Sequence, residues 1–515
     1  MKNLPIGIQT LPKMREKNCV YVDKTQLIHQ LVTTGSHYFL SRPRRFGKSL
    51  LISTLKELYL GNKTVFERLW IEPHWDWSKT NPVIHISFDD AGYKQIGLEA
   101  AISHELKLNA KRNKVRLTNQ NYKLQFKELI EKVAKKHGKV VLLIDEYDKP
   151  IIDFVEKDEI EESKLNRNIL REFYGVVKNA DEHLELVFIT GISKFTKMSL
   201  FSHLNNLNDI TIDAQYASLT GYTHEELVAN FPDHLQACCD KFKISQETLL
   251  EQMKTWYNGY SWDGETMVYN PFGTLNFLQK KVFINHWFTT GSPSFLIKKM
   301  RELMVYNVEN TVATSRDLDK YDIENLTLIP LLFQTGYLTI KKLNIRTGEM
   351  VLDYPNQEVR ESMYDFLIDD IAQNHNRHNT GMTMQDLGKA FSINDLEQVK
   401  TILNSLLADL PDEAYLKQTE GLYHGLIHLT FKYLGLYADS EVHSSRGHAD
   451  SVVQTPTDVF IFEFKFNKTA QEAIDQINKK DYAGKYRASG KKITGIGVNF
   501  KSDLKIIDDW IEVNL

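Results

Sequence analysis

Arg42-Pro43-Arg44-Arg45-Phe46-Gly47-Lys48-Ser49 stands between a short apolar run, Tyr38-Phe39-Leu40, and the helical stretch Leu50 to Tyr59. The order is strand, loop, helix. A phosphate chain is held by backbone amides converging from a tight loop, by the positive end of a helix, by an ammonium and, through magnesium, by a hydroxyl. Gly47, Lys48 and Ser49 supply the turn, the ammonium and the hydroxyl, and Arg45 is counted with them in the nucleotide-binding set. The general form of such a loop has a glycine five residues before Gly47, where this chain has Arg42, and the departure lowers the specificity of the motif. Alone, a Gly-Lys-Ser at a helix start is more often a surface turn.

A second element changes that balance. Val140-Val141-Leu142-Leu143-Ile144 is unbroken in its apolar character, as a strand covered on both faces is, and it runs into Asp145-Glu146. Two carboxylates are thereby delivered to the C-terminal edge of a sheet, beside the expected loop. Neighbours on a strand point to opposite faces, so the two take different work: Asp145 in the magnesium shell, Glu146 orienting or deprotonating water. A third strand, Leu184 to Ile189, ends in Thr190-Gly191-Ile192-Ser193-Lys194. Thr190, with Ser193 in reserve, is placed to sense a γ-phosphate between the loop and the acidic strand; capping of the next element is an equal reading of either. ATP and Mg²⁺ are the cofactors these elements call for.

Adding His37 to Leu40 and Val83 to Phe88 gives four strands alternating with amphipathic stretches, the pattern of an α/β domain with a largely parallel sheet. The chain has 515 residues, 42% hydrophobic and 25% charged, enough for two to four ordinary globular domains. A net charge of −4 gives no global basic field, so any contact with DNA or RNA needs a local patch. The lysines and arginines between Lys107 and Lys136 read first as a solvated helix face and only second as such a patch. Cys19, Cys238 and Cys239 form neither a disulfide framework nor a zinc knuckle. No secretory h-region follows Met1, and no run of about 18 apolar residues appears, so a cytoplasmic location without membrane insertion is expected.

From about Ser218 to Gly291 the pattern turns helical and aromatic, as a helical lid does. Leu326 to Ile340 reads as helix, turn and strand, which a winged helix would contain. Asn374 to Met384 is polar and reads as a linker. The expected division is 1–215, an α/β nucleotide-binding domain; 216–310, a helical lid; 311–400, a helical or winged-helix middle region; and 410–515, an α+β domain.

Three segments, Tyr21-Val22-Asp23-Lys24-Thr25, Arg42 to Ser49, and Leu143-Ile144-Asp145-Glu146-Tyr147-Asp148-Lys149-Pro150, resemble the bacterial AAA-ATPase-like family, whose members commonly carry a C-terminal nuclease-superfamily domain. The resemblance continues through Trp256 to Tyr260 and Tyr269-Asn270-Pro271. It implies a P-loop core of AAA type followed by a lid, and in that family the arginine-rich loop takes the place of the general glycine.

Near the C-terminus, Asp450 precedes the strand Val459-Phe460-Ile461-Phe462, which leads into Glu463-Phe464-Lys465. A hairpin turning near Thr455-Pro456-Thr457 would bring Asp450 to Glu463, while Glu463 and Lys465 share one strand face. Two carboxylates and a lysine suit phosphodiester hydrolysis: Asp450 and Glu463 hold Mg²⁺, and Lys465 steadies the attacking hydroxide. The set resembles the PD-(D/E)xK nuclease superfamily, with a restriction-endonuclease-like α+β fold. The resemblance implies further places for Glu441, Gln476 and Tyr482, and it departs at His448, where that family often has arginine. The leading expectation is an ATPase whose nucleotide state controls a Mg²⁺-dependent nuclease-like domain acting on DNA or RNA. The alternative is a nucleotide-gated scaffold that binds nucleic acid or protein without cutting; homo-oligomerisation is left open.

Overall fold

The computed structural model describes the chain except at positions 90, 157–158, 194–205, 288–293, 304, 319–326, 372–379, 409–419, 438–441, 444–450 and 502–505. It divides into two units, residues 1–291 with 308–359, and residues 292–307 with 360–515.

The first unit is built on a parallel sheet. Strands β1 (His37–Ser41), β2 (Val83–Ser87), β3 (Val140–Asp145), β4 (Leu184–Gly191) and β5 (Asn208–Asp209) lie in the order β2-β3-β4-β1-β5. The four expected strands are present, and β4 runs between the loop-bearing β1 and the acidic β3. The period of two along β3 sorts its side chains: Val140, Leu142 and Ile144 enter one core, and Val141 and Leu143 the other. Helices Leu98–Arg112, Tyr122–His137 and Ile160–Asn179 cover the first face, and Thr25–Thr34 and Lys48–Tyr59 the second. All six residues of β3 are buried. Each large aliphatic there contributes about 1.5–3 kcal/mol by leaving water, and this anchors the two acids at the strand end.

The lysine-rich helices have structural work. Lys132 Nζ donates to Arg116 O at 2.9 Å and Lys136 Nζ to Lys114 O at 2.7 Å, while Glu128 accepts from the backbone of Thr118 and Asn119 at 3.0 Å. These contacts staple the 113–119 loop to the helix Tyr122–His137.

The aromatic region is helical, as expected: His224–Asn230, Pro232–Phe242, Gln246–Tyr257 and Pro271–Lys280. Its ends are capped locally. Thr223 and Glu226 form a capping box, Ser245 caps through Thr248 N, and Asn270 caps through Gly273 N, with Pro271 in the first turn where no amide is missed. Val20 and Val22 pack into this helical core. Lys24 reaches the same region, its ammonium 2.6 Å from Glu226 Oε1, while Asp23 accepts from Thr25 N and Trp70 N. Tyr21 to Thr25 is therefore a staple between the N-terminal segment, the sheet domain and the helices.

Beyond these, β6 (Thr311–Thr314) precedes helix Leu328–Thr335, which ends at Gly336, whose φ of +89° favours glycine, and leads into β7 (Thr339–Asn344) and β8 (Glu349–Asp353); the three strands form an antiparallel sheet ordered β6-β8-β7. Helix Gln357–Ile371 begins with a buried acid. Glu358 is fully buried and accepts from Trp287 N at 2.7 Å. Burial pushes its carboxyl up from 4.5 to about 8. The folded state thus holds a proton that the unfolded chain releases between those values. This group's contribution to stability is full below pH 4.5 and falls, by on the order of a few kcal/mol, as pH rises to about 8. Glu358→Gln, the isostere of the neutral form, is expected to raise the melting temperature at pH 8.5, with the gain shrinking toward pH 5. Thermal scans across that range check it.

The second unit carries a five-stranded mixed sheet, β13-β12-β11-β10-β9, from β9 (Val442–His443), β10 (Ser451–Gln454), β11 (Asp458–Phe466), β12 (Lys492–Lys501) and β13 (Ile506–Asn514). The β10–β11 pair is the expected hairpin, antiparallel from Ser451 with Phe462 to Gln454 with Val459. Phe391, from helix Thr380–Ser392, packs on Phe460 and Phe462, and Phe431, from helix Glu420–Tyr437, on Phe462 and Phe464. Of the expected linker, 374–379 lie outside the described residues, and Thr380 to Met384 are helical. Met384, Leu387, Ala390 and Phe391 recur at helical spacing and are buried, which overrides the polar composition before them.

Candidate nucleotide and nuclease sites

The loop after β1 has the backbone of an anion cradle. Arg45 lies at φ +66° and Gly47 at φ +88°, with Phe46 between them at negative φ, and the helix begins at Lys48. Alternation of hand along successive residues turns their N–H groups to one side. At Gly47 the backbone angle is what requires glycine, since an added Cβ would meet nothing within 4 Å.

Lys48 is buried and donates to Arg42 O and Pro43 O, both at 3.0 Å. Burial pulls its pKa down, and Asp145, Glu146 and Asp148 oppose that pull. The ammonium and the acids of β3 are thus electrostatic neighbours. Asp145 accepts from Glu146 N at 3.0 Å, and the Ser49 hydroxyl is near enough to hold its carboxyl down; burial raises its pKa against both. A hydroxyl and a carboxylate side by side are hard oxygen donors of the kind Mg²⁺ takes while keeping several waters. Among the described residues no three His, Cys, Asp or Glu side chains form a metal-binding group.

Glu146 corrects a detail of the strand argument. β3 ends at Asp145, and Glu146 takes φ +52°, so strict alternation stops one residue early. A non-glycine residue there costs about 1–2 kcal/mol, which the buried neighbours must offset. Glu146 lines a cavity of about 610 Å³ with loop residues Arg44 to Ser49, Asp89 and Lys149. Ile6 to Gln9, Tyr222 and Phe272 close other sides. The Arg45 guanidinium lies 4.0 Å from the centroid of the Phe272 ring.

Arg42 does not enter this cavity. It is fully buried, with Nη1 donating to Ser41 O at 2.9 Å and Thr211 O at 2.7 Å, Nη2 to Tyr216 O at 3.4 Å, and the guanidinium 3.9 Å from the Trp262 centroid. Burial pushes its pKa down to about 9, against the pull of Asp209 and Asp263, so the charge persists at neutral pH. Beside it, the buried Phe46 ring meets Tyr260 and Trp262 edge-on at 4.7 and 5.4 Å, and Trp287 Nε1 donates to Arg44 O at 3.2 Å. The arginine is a brace for the loop, a role its sequence position alone did not reveal.

The hydroxyls after β4 are engaged. Thr190 Oγ1 donates to Leu40 O at 2.8 Å, tying β4 to β1, and Ser193 Oγ donates to Asp148 Oδ2 at 2.7 Å. Asp148, fully buried, also accepts from Ile192 N and Ser193 N. A Cβ on Gly191 would sit 2.4 Å from Asp148 Oδ1, so this contact needs glycine. Asp148 joins the acidic strand to β4, a role missed in the sequence although the residue lies in the quoted motif.

In the second unit, Glu463 is buried and its Oε1 lies 2.9 Å from Lys465 Nζ. The same ammonium donates to Gln476 Oε1 at 2.8 Å, and Gln476 Nε2 donates to Tyr482 Oη at 3.4 Å. Four of the expected residues therefore converge, with Gln476 presented by helix Ala470–Lys479. Asp450, Glu441 and His448 lie outside the described residues. Of the basic residues that follow, Arg487 pairs with Asp481 at 2.7 Å and Lys491 donates to Thr455 O at 2.7 Å.

A family model described as predicted AAA-ATPase matches residues 5–201, and one described as PD-(D/E)XK nuclease superfamily matches residues 418–510. An uncharacterized protein of the vnfD 5′ region in Azotobacter chroococcum mcd 1 is 37% identical over 531 residues, spanning 100% of this chain and 99% of that one. The structure of the Aeropyrum pernix ORC1 protein in complex with DNA overlaps 67% of this chain and 92% of that one, at 10% identity and a TM-score of 0.25, too low to carry an argument. Among the described residues no helix is long and apolar enough to cross a membrane.

Proposed function

Because the chain belongs to the family of predicted AAA-ATPases that carry a PD-(D/E)XK nuclease superfamily domain, we propose that it binds and hydrolyses ATP and that nucleotide state controls a metal-dependent nuclease-like domain acting on DNA or RNA. One observation carries the reading: the Lys48 ammonium, the Ser49 hydroxyl and the carboxylates of Asp145 and Glu146 gather at an alternating-hand loop. Lys48 and the loop amides, with Arg45, bind the phosphates. Ser49 and Asp145 would hold magnesium, which supplies Lewis acidity at a phosphoryl oxygen when bound. Glu146 takes the proton of the attacking water. Thr190 enters as a positioning group through its bond to the end of β1. In the nuclease-like domain, Glu463 with Asp450 would hold a metal, and Lys465 steadies the incoming hydroxide. The four-part domain division read from the sequence, winged helix included, and a cytoplasmic location belong to the same proposal.

The test is incubation of the purified protein with plasmid, linear and single-stranded DNA and with RNA, with and without ATP and Mg²⁺ or Mn²⁺. Metal-dependent cleavage is expected, and Glu463→Gln is expected to lower it by at least about a hundredfold while ATP affinity stays unchanged. ATP-dependent binding with no cleavage under any metal would overturn the nuclease reading in favour of a nucleotide-gated scaffold. Cleavage unaffected in the variant would place the activity elsewhere.

A further inference from the structure

Lys149 stands between two carboxylates that come from different strand ends. Its ammonium is paired with Asp89 Oδ1, donates also to Asp89 O at 3.5 Å, and lies 3.7 Å from Glu146 Oε2. Asp89 follows β2 and Glu146 follows β3, so the lysine ties the two ends together across the mouth of the cavity that all three line. Its own position is fixed from both sides. Asp148 before it is fully buried under three bonds from Ile192 and Ser193, and Pro150 and Ile151 after it are buried. Glu146, by contrast, has left the strand at φ +52° and has a side chain about a quarter exposed, so nothing in the β ladder aims its carboxylate.

We infer that Lys149 is a positioning residue for ATP hydrolysis: it bridges Asp89 and Glu146, fixes where the Glu146 carboxylate points and offsets the repulsion between the two acids. The inference rests on the hydrolysis reading above and adds to it a residue outside the loop Arg42 to Ser49. Without the ammonium, two carboxylates would share the cavity edge with no cation between them, and Glu146 would turn away from Asp89. Lys48 and Ser49 would be untouched, so nucleotide binding should survive while turnover falls.

The experiment compares phosphate release and ATP affinity for wild type, Glu146→Gln, Lys149→Met, Lys149→Arg, and Lys149→Met combined with Asp89→Asn. Lys149→Met is expected to lower kcat about tenfold or more with Kd for MgATP within about twofold. Lys149→Arg should restore most of the rate, because the bridge needs a cation. Adding Asp89→Asn to Lys149→Met should restore part of it, because the repelling carboxylate is gone; a merely structural loss would deepen with the second change. A Lys149→Met protein with wild-type kcat, beside an inactive Glu146→Gln, overturns the inference and leaves the hydrolysis reading standing. A wild-type protein that binds MgATP and releases no phosphate overturns both.

Discussion

Lys48→Ala is expected to weaken MgATP binding by at least about a hundredfold, roughly 2.7 kcal/mol or more, and to remove phosphate release. Lys48 is the first residue of helix Lys48–Tyr59, where the helix N-terminus already favours an anion, and its ammonium is held by Arg42 O and Pro43 O within the loop itself. It is a prepared cation, so little ordering is required when phosphate arrives. Alanine keeps the helix start and loses only the charge and its two bonds. The substitution also removes from Asp145, Glu146 and Asp148 one of the cations that oppose their burial, so their protonated forms gain ground. Titration calorimetry beside a thermal scan separates lost affinity from lost fold. A folded Lys48→Ala protein with wild-type affinity for MgATP would remove the loop from the account.

Much of the first site was legible because its parts are local. β1, the loop and its helix are consecutive, and β3 declares itself by five apolar residues before two acids. The hairpin from Ser451 to Phe466 was legible for the same reason, its turn marked by Thr455-Pro456-Thr457 and its strands alternating. What stayed hidden depends on distant partners. β5 has only Asn208–Asp209 and carries no periodicity, and it exists because β1 offers it an edge. Asp148 finds its partners more than forty positions later, at Ile192 and Ser193. The left-handed turn at Glu146 has no signal in residue type, since glutamate has no preference for that region; the packing around it imposes the angle. Thr380 to Met384 misled through composition, because the apolar spacing that makes them helical lies downstream of them.

Arg42→Gly, which restores the general glycine of phosphate-binding loops, is expected to destabilise the protein by about 3–5 kcal/mol, the range for breaking a buried, hydrogen-bonded charge. The guanidinium is the donor for three carbonyls, Ser41, Thr211 and Tyr216, and the cation over Trp262, all in a site closed to water. Glycine removes the donors, leaves a void beside Trp262, and leaves Asp209 and Asp263 facing the place where a positive charge stood. It also frees the backbone ahead of a loop that must hold Arg45 and Gly47 in the left-handed region. Arg42→Lys should fall between, keeping the charge but losing the planar fork that serves several carbonyls at once. Urea unfolding with a matched slope gives the free energies, and MgATP affinity of the folded fraction reports on the loop. An Arg42→Gly protein within about 0.5 kcal/mol of wild type would mean the buried guanidinium braces nothing, since a change of that size is what an exposed position shows. The expected loss follows from where the fold puts the constraint: a glycine at this position serves a loop that needs only backbone freedom, whereas here the loop is carried by Trp262, Thr211 and Tyr216, and only a long, forked cation spans them.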